Sequence, residues 1–362
     1  MNKTLREPPE PRPATGRKTV NLALQGGGSH GAYTWGVLDA LIANERIEIG
    51  AISGASAGAM NAVIYASGLM ENGRDGARSK LHDFWLSVSS EGSLSPAQRR
   101  LFDAWLRAWG SAFPHVGAMW EALSQYASPY DFNPLDINPL RDHLVGMVDF
   151  EALRRKNDLP LFIGATNVHT GKGEIFRRDI LTVEHVLASA CLPSLFQAVV
   201  IDGVPYWDGG FGGNPALWPL FYETTCRDQI IVQLNPIERD QTPHTAQEIV
   251  DRVNEITFNA GLLAELRAAD FVARLIDRGA LRGDEYRREL LHRIGGEGAL
   301  ESFGAASKLD VSWSFLTTLR DLGREACEAW LARHYDSIGA RSTLDLDRAL
   351  AKPGAKPAIS GS

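Results

Sequence analysis

The 362-residue sequence predicts an α/β protein with a mostly parallel central sheet flanked by helices and a helical, aromatic-rich insertion. Three observations lead there. Short apolar runs alternate with helical patterns from residue 18 to about 235, the order expected of parallel strands joined by crossover helices. Two glycine-rich turns, "QGGGSHG" and "SGASAG", each lie between an apolar run and a helical run. Hydrophobic residues make up 44% of the chain, enough for a sizeable core.

Taken in order, residues 1–17 are rich in proline and charge and read as a disordered tail. They lack the apolar stretch of a secretory signal. "TVNLALQ" reads as a buried strand, and Tyr33, Trp35, Val37, Leu38, Leu41 and Ile42 then recur at helical spacing. "IEIGAIS" is a second strand, and "GASAGAMNAVIYASG" a turn entering a small-residue helix. Residues 72–139 change texture: Phe84, Trp85, Phe102, Trp105, Trp109, Phe113, Trp120, Tyr126, Tyr130 and Phe132 crowd a segment without strand alternation. An ordinary helical subdomain core and a lid or acyl-binding surface are both consistent with it. The sheet resumes with "LPLFIGATNV" and "GKGEIFR", and a helix from about Thr182 to Cys191 ends before Pro193. "AVVIDGVPYWDGG" reads as a hairpin turning at Asp202-Gly203, and "QIIVQLN" as a further strand. Residues 241–345 read as a mostly helical extension and 346–362 as a disordered tail, leaving 18–240 as the main α/β domain.

The formal charge of −7 argues against nucleic-acid binding, which needs a concentrated positive footprint. Cys191, Cys226 and Cys327 have no metal spacing and read as reduced, structural thiols. No window has the ~18–20 apolar residues of a membrane span, so a cytoplasmic protein is the expectation. Peripheral membrane contact stays open through Trp105 and Trp109 beside Arg99, Arg100 and Arg107; a packed helix with a solvated edge is the competing reading. Oligomeric state is not legible.

Gly26, Gly28 and Gly31 satisfy the G-x-G-x-x-G pattern of a dinucleotide turn, with Glu45 or Glu48 near the spacing of a ribose-binding acid. They equally satisfy a glycine loop that stabilises an oxyanion. The pentapeptide "GASAG", Gly54 to Gly58, chooses between them. It is a G-x-S-x-G between a strand and a helix, the context in which a serine is held at a sharp turn with glycines two positions to either side. Ser56 is then a nucleophile, and the N–H groups around Gly27, Gly28 and Ser29, with that of Ala57, form the oxyanion hole. His143, His169, His185 and His244 lie in no motif. Asp208, followed by Gly209 and Gly210, is the better base candidate, although "DGG" alone is most often a plain turn.

"GGGSHG", "GASAG", "ASACLPSLF" and "DGG" in this order and spacing resemble the patatin-like phospholipase family over residues 18–240. The resemblance implies a three-layer α/β fold, an oxyanion loop containing Gly26, Gly27 and Gly28, and a Ser56–Asp208 dyad with no metal or cofactor. It implies a serine acyl hydrolase acting on phospholipid, lysophospholipid or neutral acyl esters. The alternatives are an esterase or polyester depolymerase using the same dyad, and a catalytically silent lipid-binding module. The family loop usually carries Arg or Lys where this sequence has His30, a side chain expected to be partly charged near neutral pH. A free carboxylate's pKa near ~4 matches a serine hydroxyl poorly, so Asp208 is expected to work in a water-poor pocket.

Overall fold

The computed structural model describes residues 16–89, 128–156, 158–239, 241–282, 286–296, 298–300, 303 and 305–350. The strands are β1 (Lys18–Leu24), β2 (Ile47–Gly54), β3 (Leu161–Asn167), β4 (Gly173–Arg177), β5 (Val199–Ile201), β6 (Val204–Asp208), β7 (Asp228–Gln233) and β8 (Leu290–Gly295). The helices are α1 (Gly31–Ala43), α2 (Ala57–Val88), α3 (Pro129–Phe132), α4 (Pro139–Met147), α5 (Phe150–Arg155), α6 (Val183–Ser189), α7 (Trp218–Glu223), α8 (Ala246–Asp277), α9 (Trp313–His334) and α10 (Leu346–Ala349).

The sheet order is β5-β6-β3-β2-β1-β7-β8, with β4 on the other edge of β3. From β3 through β8 the pairing is parallel; β4, β5 and β6 join antiparallel. Side chains alternate along β1, and the alternation sorts the core into two layers. Val20, Leu22 and Leu24 face α1, α2 and α9, whereas Ala23 faces Leu217 and Leu220 next to Leu262 and Leu266 of α8. Helices therefore cover both faces of the sheet, giving three layers.

α1 is buried along almost its whole length because α9 covers the side turned away from the sheet. The approach is backbone to backbone. A methyl group on Gly36 would fall 1.8 Å from the Arg320 carbonyl oxygen, and one on Gly323 2.0 Å from that of Tyr33. α2 breaks at Asn72–Gly73, where Gly73 takes φ 60°, and its second half packs back on the first. Phe84 and Trp85, in the aromatic-rich stretch, are core residues, and Trp85 Nε1 donates to Asn61 Oδ1 at 3.1 Å. Phe102, Trp105, Trp109, Phe113, Trp120 and Tyr126, with Arg99, Arg100 and Arg107, lie outside the described residues.

The hairpin turns at Asp202-Gly203, both with positive φ (50° and 80°). One strand departs from expectation. "LLHRIG" lies within the stretch read as mostly helical, yet it forms β8, parallel to β7 at the sheet edge. Leu290, Leu291 and Ile294 are buried there; a six-residue run between long helices is too short for periodicity to separate from helix. Among the described residues no helix is long and apolar enough to cross a membrane.

Candidate active site

Strand register explains how Ser56 and Asp208 meet. β3 pairs with β4 along one edge, so β2 and β6 must share the other: Phe162 pairs with both Ser53 and Arg177, and Ala165 with both Asp208 and Glu174. β2 ends at Gly54 opposite Ile163, and β6, running the opposite way, ends at Asp208 opposite Ala165. Two strands thus abut end to end, their last pairs two residue steps apart on β3 with only Gly164 between, about 7 Å at strand rise. Residues 152 positions apart in sequence are brought to one spot by an antiparallel hairpin completing a parallel sheet.

Ser56 occupies φ 53°, ψ −125°, a conformation that side chains rarely adopt, between the end of β2 and the start of α2. The glycines around it are steric necessities. A methyl on Gly58 would lie 2.1 Å from the Leu24 carbonyl oxygen, and one on Gly54 2.7 Å from that of Gly58. The Ser56 N–H donates to both the carbonyl and the hydroxyl oxygen of Ser189, at 3.1 and 3.0 Å, which anchors the turn from α6.

The glycine loop leaves β1 beside this turn because β1 and β2 are parallel neighbours, Leu24 opposite Gly54. A methyl on Gly26 would fall 2.5 Å from Ser56 Cβ, so only glycine lets the loop touch the serine. Gly26 N–H donates to Asn214 Oδ1 at 2.6 Å, and its carbonyl accepts from Asn235 Nδ2 at 2.8 Å. Gly26 therefore shapes the loop, its own N–H being committed. Gly27 is extended (φ 177°), Gly28 is left-handed (φ 59°), and the short turn through Ser29 leads into α1. Among the described residues the N–H groups of Gly27, Gly28, Ser29 and Ala57 have no hydrogen-bond acceptor. They sit at the N-terminal ends of α1 and α2, where partial positive charge gathers.

Asp208 is fully buried (0% exposed) against 9% for Ser56. Its N–H donates to the Cys191 carbonyl at 2.8 Å, its carbonyl accepts from Thr166 Oγ1 at 2.8 Å, and Oδ1 accepts from Gly210 N–H at 2.7 Å. Among the described residues Oδ2 has no hydrogen-bond partner. Ser56's hydroxyl draws the carboxyl's pKa down somewhat, although no hydrogen bond of ordinary geometry joins the two, so they are adjacent rather than engaged. Burial outweighs that effect and the Gly210 N–H, raising the Asp208 pKa to about 7. Gly209 is required because a methyl there would lie 2.1 Å from the Gly164 carbonyl oxygen. Gly210 is required because a methyl would lie 1.9 Å from the Phe258 ring.

His30 corrects an expectation. It is 2% exposed, its Nε2 lies 2.7 Å from Ser307 Oγ, and burial together with nearby Lys308 pushes its pKa down to about 3. His30 is therefore neutral near pH 7 rather than partly charged, and it ties the loop to the turn Ala305–Leu309. Asn214, Asn235 and Phe258 carry no sequence signal, and Ser189 and Gln25, although within "ASACLPSLF" and "QGGGSHG", carry none for the contacts they make. Gln25 Oε1 accepts from Leu234 N–H at 2.8 Å while Nε2 donates to Asn259 Oδ1 at 3.1 Å. Each is an ordinary polar or aromatic residue made relevant only by long-range pairing.

The family model described as patatin-like phospholipase matches residues 22–221. No curated protein matches the chain. Among solved structures, VipD from Legionella pneumophila aligns with a TM-score of 0.34 at 18% identity, over 84% of this chain and 67% of that one. The family match spans the glycine loop, the serine turn and the Asp208 hairpin, more than half of the sequence, and the chain belongs to the patatin-like phospholipases, a family of lipid acyl hydrolases.

Proposed function

We propose that this lipid acyl hydrolase cleaves carboxylic esters, of phospholipid, lysophospholipid or neutral acyl lipid, through Ser56 as nucleophile and Asp208 as general base. The observation that carries the reading is the pairing of an elbow serine with a fully buried carboxylate whose Oδ2 is unpartnered and whose pKa is about 7. A base poised near the working pH combines a large ionised fraction with real proton affinity.

In the first half-reaction Asp208 takes the Ser56 proton as Oγ bonds to the ester carbonyl carbon. The carbonyl oxygen becomes an anion, received by the N–H groups of Gly27 and Gly28, with Ser29 and Ala57 at the same helix ends. These donors are fixed beforehand by Asn214, Asn235 and the Ser307–His30 contact, so no reorientation accompanies charge development. Collapse expels the alcohol, which leaves with the proton from Asp208. Water, deprotonated by Asp208, then attacks the acyl-serine; the carboxylic acid departs and Ser56 is restored.

The test is labelling with a fluorophosphonate probe beside turnover of p-nitrophenyl esters from short to long chain. Labelling should vanish in Ser56→Ala, and turnover should fall in both Ser56→Ala and Asp208→Asn by the order of 10³ or more. Labelling that persists in Ser56→Ala overturns the assignment. The chain-length optimum ranks lipid esters against short ones.

A further inference from the structure

The family match ends at residue 221, and α8 begins at Ala246, yet one side chain of α8 reaches the Asp208 turn. A methyl group on Gly210 would lie 1.9 Å from Phe258 Cε1 and 3.0 Å from Asp208 Oδ1, so the ring and the carboxylate both press on the same residue. Phe211 packs against Phe258 with ring centroids 5.0 Å apart and is itself 37% exposed, so solvent begins immediately outside this pair.

The ring has little room to withdraw. The next residue, Asn259, accepts from Gln25 and donates from Nδ2 to the Pro236 carbonyl at 3.0 Å, and Leu262 and Leu266 are core residues. Gly261 sits against the backbone of Gly213. α8 is thus fixed from the residue after Phe258 onward.

Among the described residues, what surrounds the Asp208 carboxylate is otherwise uncharged. From the serine turn it meets the Ser56 hydroxyl, from its own turn the Gly210 N–H, and from the segment after α6 it faces the Cys191 thiol, while the Thr166 hydroxyl and the Cys191 carbonyl hold the Asp208 backbone. The thiol is pushed up to about 12 and stays neutral. No charged side chain is among the causes acting on Asp208, which leaves exclusion of water as the lever on its basicity.

We propose that Phe258 is a positioning residue for Asp208: its ring seals the Gly209–Gly210 turn from water, so that the carboxylate serves as a base and not as a solvated counter-charge. This rests on the dyad reading above. The role follows from geometry, because the ring lies directly on Gly210 and is itself backed by the partly exposed Phe211. Truncating it opens to water the Gly210 turn on which Asp208 Oδ1 is held.

The experiment is the pH profile of kcat/KM on one p-nitrophenyl ester for wild type, Phe258→Leu, Phe258→Ala and Phe258→Gln, with urea midpoints for each. Wild type should lose activity as pH falls through about 7, where Asp208 protonates. Phe258→Leu keeps an apolar cover and should hold that limb in place. Phe258→Ala and Phe258→Gln should move it down by about one pH unit or more and lower the rate at pH 8.5 about tenfold, since a weaker base takes the proton less readily. Gln preserves the length of the side chain and carries the test if the Ala variant does not fold. A limb that stays at the wild-type pH in Phe258→Gln, or that moves equally in Phe258→Leu, overturns the proposal. Asp208→Asn separates the two claims: if it retains turnover the dyad itself is wrong, whereas a dead Asp208→Asn with an unmoved Phe258→Gln limb removes only the role of Phe258.

Discussion

Replacing Asp208 with asparagine should stabilise the protein while silencing it. Asparagine keeps the shape, and its Oδ1 can still accept from Gly210 N–H, but it carries no charge to bury. In the folded protein the Asp208 pKa is raised from 3.8 to about 7. For an acid shifted upward, the unfolded chain ionises first. Folding therefore bears no penalty below pH ~4, an increasing one between pH 4 and 7, and a constant one above. A rise of about three units at ~1.36 kcal/mol per unit gives about 4 kcal/mol at pH 8, an order-of-magnitude figure and a large fraction of a typical stability. Urea unfolding of wild type and Asp208→Asn at pH 8 and pH 4.5 measures it. With a slope of about 3 kcal/mol per molar for a chain of this size, the midpoint gap should be about 1 M at pH 8 and should largely close at pH 4.5. Other carboxylates titrate equally in both proteins and cancel. A gap independent of pH, or an asparagine variant less stable at pH 8, refutes the reasoning.

Three further outcomes follow from the geometry. Asn214→Ala leaves the buried Gly26 N–H without its 2.6 Å acceptor, and urea titration should register a loss of about 1–3 kcal/mol, with kcat falling at least about tenfold at nearly constant KM. Ser56→Gly should be more stable than Ser56→Ala by about 1–2 kcal/mol in the same assay, because glycine accepts φ 53°, ψ −125° without strain. Gly323→Ala forces α9 off α1, since its methyl would lie 2.0 Å from the Tyr33 carbonyl oxygen, and should lower stability by about 3 kcal/mol or more; a thermal midpoint unchanged from wild type would contradict that contact.

The parts of the fold legible in sequence are those whose signal is local. "TVNLALQ", "IEIGAIS" and "QIIVQLN" are short runs bounded by turn residues, and they form β1, β2 and β7. Asp202-Gly203 favours the left-handed pair of angles that its turn requires. Gly54, Gly58 and Ser56 announce a strained turn because sterics permit few other residues there. What stayed hidden depends on pairings across the chain. Ser189 meets Ser56 over 133 residues, Asn214 meets Gly26 over 188, and Asn235 meets Gly26 over 209. No periodicity encodes such a contact. His30 shows the same limit from the other side: its type suggested a charge near pH 7, but its burial removes it.

The division of labour within the chain bears on how the site evolved its chemistry. The stretch matched by the family supplies the serine turn, the glycine loop and the carboxylate. Some supports, such as Ser189 and Asn214, lie within it, but others lie beyond: Asn235 after β7, Phe258 and Asn259 on α8, and Ser307 and Lys308 on the turn before α9, where Lys308 Nζ donates to Asn235 Oδ1 at 2.8 Å. Reacting groups are constrained by what they must do, whereas supports need only fill space and satisfy a few hydrogen bonds, so many sequences can serve. Basicity at Asp208 is nevertheless set by burial, and part of that burial comes from α8. Two proteins sharing every motif of the matched stretch can therefore differ in the pH at which they work, through residues that no motif contains.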